Sequence, residues 1–212
     1  MKKPFALLCI GLLVFSLFGC SGAPGDVQPT APGNGGAAKG EEIEHISEFY
    51  PLGMCNVDLF YEGCANLQMM SISSVQHLPI FVCDTKAEFD RFVDGHENAL
   101  NLTESHGEFA SFVDATAHMN DIFFDHNTVL FVFAAAPGED ETYLVDHVYY
   151  DGASLSVCVV PDADGYKAPA LHDVTNGEDG NGALTWVGIV TVKDEHAKTV
   201  TTFDAYLDRS AK

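Results

Sequence analysis

Histidines, carboxylates and cysteines carry most of the potential chemistry in this 212-residue chain. His118 and His126 bracket Asp121 and Asp125, and all four are metal-ligand types. The histidines are eight residues apart across an expected helix-to-strand junction, which does not match the ligand spacing of a structural zinc site. Asp162, Asp164 and Gly165 resemble a fragment of a calcium loop, yet Val160 and Leu171 stand where an EF-hand needs further acids. Asp173, Glu178, Asp179 and Asn181 add oxygen donors in the same acidic, glycine-rich stretch 161–182. Asp162, Asp164, Asp173, Glu178 and Asp179 are therefore the candidate cation ligands, set against the simpler reading of a solvated surface loop. No GxSxG elbow, SxxK, HExxH or P-loop occurs, so no catalytic residue is singled out and no cofactor is expected.

The N-terminus carries a different chemistry. Lys2 and Lys3 precede an apolar run from Phe5 to Phe18, and Leu17-Phe18-Gly19-Cys20 resembles a bacterial lipobox. The run is 14 residues long, short of the roughly 20 that span a bilayer as a helix. The reading is a signal segment at 1–19, acylation of Cys20, and a Gly-, Ala- and Pro-rich tether over 20–42. A single domain over 43–207 is then expected outside the cytosol, lipid-anchored to the bacterial cell envelope.

Of the six cysteines, Cys9 leaves with the signal and Cys20 takes the lipid, leaving Cys55, Cys64, Cys83 and Cys158. An even number in an oxidising compartment suggests disulfides. The favoured pairs are Cys55 with Cys64, closing a short loop that contains Gly63, and Cys83 with Cys158, joining two expected strands. Ten bases against 31 acids give a formal charge of −21, and loss of Lys2 and Lys3 makes the remainder more negative still. Nucleic acid is excluded as a partner, because binding it requires a cationic patch. Membrane contact is expected through the lipid alone.

The elements that must position these groups follow from periodicity. Met70 to Val75 and Leu78 to Cys83 read as short strands, interrupted near His77. Thr85-Lys86-Ala87-Glu88 is a capping box before a helix with Phe89, Phe92 and Val93 on one face, ended by Asp94-Gly95. Ser105-His106-Gly107-Glu108 reads as a second box before Phe109, Phe112 and Val113. Thr128 to Ala134 predicts a strand covered on both faces. Tyr143–Tyr150 and Ala153–Val160 predict a hairpin about Asp151-Gly152, with Leu144, Val148, Leu155, Val157 and Val159 facing the helices and Asp146 interrupting that face. Ala183 to Val192 and Thr199 to Leu207 predict further strands, joined by a short helical turn over 193–197. The expected fold is α+β, two helices on a largely antiparallel sheet of about five or six strands.

Cys83 with its Thr85-capped helix, Asn120-Asp121-Ile122-Phe123-Phe124, the 128–134 strand, the Asp151-Gly152 hairpin and Trp186-Val187-Gly188-Ile189-Val190-Thr191-Val192-Lys193 together carry a resemblance. Over roughly residues 70 to 207 the chain resembles small exported bacterial proteins related to the C-terminal domain of the PrcB protease-complex subunit. The resemblance implies fold and, in the named relatives, a role in assembly or stability of a surface protease complex. The leading expectation is thus a non-catalytic, surface-anchored domain that binds an envelope or extracellular protein. A cation- or small-ligand-binding lipoprotein is the alternative, and an envelope hydrolase comes third.

Overall fold

The computed structural model describes residues 40–64, 76–136, 141–162 and 182–210. The lipobox, almost all of the tether and the 70–75 strand lie outside these residues, as does most of the acidic stretch 161–182. No helix among the described residues is long and apolar enough to cross a membrane.

The domain is α+β. Its strands form two sheets rather than the expected one. The first sheet orders β2 (His45–Asn56), β8 (Gly182–Lys193), β5 (Asn127–Ala136) and β4 (Ile80–Cys83), all antiparallel. The second orders β1 (Glu41–Glu42), β6 (Thr142–Tyr150), β7 (Ser154–Asp162), β9 (Thr202–Leu207) and β3 (Gln76–His77). Within it β7 and β9 run parallel. Five helices, not two, lie among the described residues: α1 (Val57–Gly63), α2 (Lys86–His96), α3 (Phe112–Ala115), α4 (Asp121–Phe124) and α5 (Asp194–Ala197).

Strand β5 explains the layering. Its apolar run leaves no polar face to give to water, so both sides must be covered. Leu130, Val132 and Ala134 pack against Val145, Val148, Leu155, Val157 and Val159 of the second sheet. Val129, Phe131 and Phe133 point the other way, into Phe89, Phe92, Phe112 and Phe124 from the helices. The Phe92 and Phe131 rings stack with centroids 5.3 Å apart, and Phe112 meets Phe131 edge-on at 5.1 Å. The hairpin face therefore meets a sheet, where the sequence reading placed helices against it.

Capping follows the sequence at one site and departs from it at the other. Thr85 Oγ1 accepts from the Glu88 amide at 3.2 Å and starts α2, which continues through Asp94-Gly95 to His96. The box expected at Ser105 starts no helix. There the Phe109 amide turns back onto the His106 carbonyl at 3.1 Å, and the cap falls six residues later, where Ser111 Oγ accepts from the Asp114 amide at 3.1 Å. Strand β2 had no counterpart in the sequence reading. It is an edge strand broken by a bulge between Pro51 and Gly53, and both residues weaken a periodic strand signal.

Candidate functional site

The hairpin β6–β7 carries one inserted residue. Val145 pairs with Val159 and His147 with Cys158, so Asp146 has no partner and forms a bulge. The insertion changes which side chains face outward. Tyr143, Val145 and Val148 enter the core, while Leu144 and Asp146 are exposed and His147 is half-buried. Leu144 was expected inside; the slip of one position at the bulge puts it on the other face, 38% exposed. Asp146, which seemed to interrupt the inward face, is turned outward beside His147, with Oδ2 2.8 Å from His147 Nδ1.

Register then aligns a row across the outer face of the second sheet. His147 pairs with Cys158, Cys158 with Tyr206, and Tyr206 with His77, so four strands each contribute one residue. The Tyr206 hydroxyl lies 3.4 Å from His147 Nε2 and also hydrogen-bonds the Cys158 sulfur. His77 Nδ1 lies 2.7 Å from Asp204 Oδ1 on the neighbouring strand. The Tyr149 ring packs against that of His147 with centroids 4.1 Å apart.

Asp146, His147 and Cys158 place one donor atom each within 4.8 Å of one another. Among the described residues no other trio of His, Cys, Asp or Glu meets that standard. The set also has the residue types of a nucleophilic triad. Its thiol is unsuited to that work, being 2% exposed and pushed up to about 11 chiefly by burial, so it stays protonated at neutral pH. The Tyr206 hydrogen bond works in the opposite direction but does not offset the burial.

No protein-family model, curated protein or solved structure matches the chain.

The residues singled out from sequence fare differently. Cys83 and Cys158 are not bonded to each other. Cys83 faces the helices from β4 and Cys158 faces outward from β7, with the core between the sheets intervening. Cys64, the residue that follows α1, is buried in the helix-side cluster and is in no disulfide among the described residues, while the Cys55 side chain lies outside the described ones. His118 and His126 do not converge with Asp121 and Asp125: His118 Nδ1 contacts the Ala115 carbonyl at 3.1 Å and its ring packs on Phe123. Asp162 ends β7, whereas Asp164, Asp173, Glu178 and Asp179 lie outside the described residues, as does Cys20. The Asp146–His147–Cys158 set was missed. Its one sequence signal was the misplaced Asp146, a charge on an otherwise apolar alternation.

Proposed function

We infer that the folded head of this chain is a non-catalytic binding domain, held outside the cytosol by an acylated Cys20. It engages an envelope or extracellular protein through the outer face of its second sheet. The observation that carries this reading is the composition of that face: Leu144, His147, Tyr149 and Tyr206 stand together on it, at least partly open to solvent, while the helices pack on the other sheet. Exposed or half-buried aromatic groups on a rigid sheet offer large contact area at small entropic cost. The buried, protonated Cys158 supports a binding role over a hydrolytic one, since acyl transfer needs an accessible nucleophile. Assembly or stabilisation of a surface complex is the role that the sequence resemblance implies, and the partner would then belong to such a complex.

Site-directed photo-crosslinking on intact cells tests this. A crosslinker at Leu144 should yield a discrete adduct, and one at Ile122, 74% exposed on the helical side, should not. Equal labelling from the two positions, or none from Leu144, argues against the assigned face. Anchoring is tested separately: Cys20→Ser should release the protein from the membrane fraction, and retention there would refute the lipid anchor.

A further inference from the structure

We propose that Asp146, His147 and Cys158 form a site for a borderline divalent metal ion of the zinc class on the outer face of the second sheet. The site shares His147 and Tyr206 with the proposed contact face but does not depend on a protein partner.

The first argument is that the convergence is built, not incidental. In a regular ladder successive side chains alternate between faces, so neighbouring Asp146 and His147 would point oppositely. The bulge puts both over Cys158. Removing Asp146 would leave Val145 opposite Val159 and His147 opposite Cys158 in continuous register. The pairing of β6 with β7 therefore does not need the extra residue; only the cluster does. Bulges of this kind are over-represented where a side chain must be re-aimed at a site.

The second argument is the donor set. A thiol, an imidazole and a carboxylate are the ligands that zinc and cobalt select, whereas calcium and magnesium take oxygen alone. Three protein donors would leave one position of a tetrahedral ion open, and the Tyr206 hydroxyl, 3.4 Å from His147 Nε2 and hydrogen-bonded to the Cys158 sulfur, flanks the set. The charge balances as well. On binding, the Cys158 S–H bond breaks, a sulfur–metal bond forms and the proton passes to solvent. The resulting thiolate and the Asp146 carboxylate offset the two positive charges of the ion, and His147 enters neutral.

Cobalt(II) titration of the reduced, chelator-stripped full chain provides the test, because a cobalt–thiolate bond has its own charge-transfer absorption. The wild-type chain should develop this band, zinc should abolish it by displacement, and millimolar calcium should leave it unchanged. Cys158→Ser should lose the band although Cys9, Cys20, Cys55, Cys64 and Cys83 remain. Deletion of Asp146 is the second variant, since it keeps the ladder: the chain should stay folded by circular dichroism and bind at least ~10–100-fold more weakly, the loss that even an outer-shell partner brings. A band that persists in Cys158→Ser, an Asp146 deletion that binds as tightly as wild type, or no band in the wild-type chain would each overturn the proposal.

Discussion

Replacing Gly53 by alanine tests the packing of the β2 bulge quantitatively, because a matched control exists in the same fold. Gly53 and Gly152 share a φ of +89°. An added Cβ at Gly152 meets nothing within 4 Å, whereas at Gly53 it would lie 2.7 Å from His106 Cε1. Both substitutions incur the left-handed backbone penalty, about 1–2 kcal/mol for a residue with a Cβ. Only Gly53→Ala adds overpacking, typically about 1–3 kcal/mol where the neighbours cannot give way. His106 has little room to move: it is 9% exposed, and its own backbone is tied to Phe109. Gly152→Ala should therefore cost about 1–2 kcal/mol and Gly53→Ala about 2–5 kcal/mol in urea unfolding. His106→Ala should recover most of the difference, so the double-mutant cycle should give a coupling above ~1 kcal/mol. Equal losses at the two glycines, with no coupling to His106, would refute the argument that the imidazole excludes a side chain there.

His106 also makes stability depend on pH. Burial lowers its affinity for a proton below the ordinary 6.5, and Nε2 has no hydrogen-bond partner among the described residues. The unfolded chain thus binds the proton more readily, so this contribution is complete above about pH 6.5 and is lost as pH falls toward the folded value. The unfolding midpoint should decline between pH 7 and 5, and His106→Gln should flatten that decline; an unchanged profile would show that the imidazole is not desolvated. Phe131→Ala, at a fully buried position in contact with Phe92 and Phe112, should cost about 3–5 kcal/mol in denaturant unfolding. Ser111→Ala should cost about 0.5–2 kcal/mol as a lost cap, against almost nothing for Ser105→Ala; the reverse order would restore the cap to the position first read from sequence. Under native conditions Cys158 should react with iodoacetamide far more slowly than an unfolded thiol at pH 8, and equal rates would contradict its burial.

Strands with a single strong signal were legible in the sequence. The uninterrupted apolar run of β5 announced cover on both faces, Asp151-Gly152 announced the hairpin, and Thr85 with Glu88 announced α2. What the run could not disclose was the identity of the cover. A helix and a second sheet present equally apolar surfaces, so two layers could not be distinguished from three by hydrophobicity. Pairing beyond adjacent strands was equally silent: β7 lies beside β9 rather than β8, and that choice creates the Cys158–Tyr206–His77 row. The candidate site was hidden for a related reason. Period-two reasoning assumes an unbroken ladder, and one inserted residue invalidates it from that point onward. Leu144 and Asp146 were misassigned by the same insertion.

The parallel junction of β7 with β9 also makes the cover of Cys158 a non-local one. Between them the chain leaves for the other sheet, forms β8, and returns. β6 and β7 meet as a local hairpin, whereas β9, the last of the described strands, joins β7 and β3 across a long stretch of chain. Cys158 therefore owes part of its shelter to Tyr206 on a strand distant in sequence, and loosening β9 would open the thiol to oxidants.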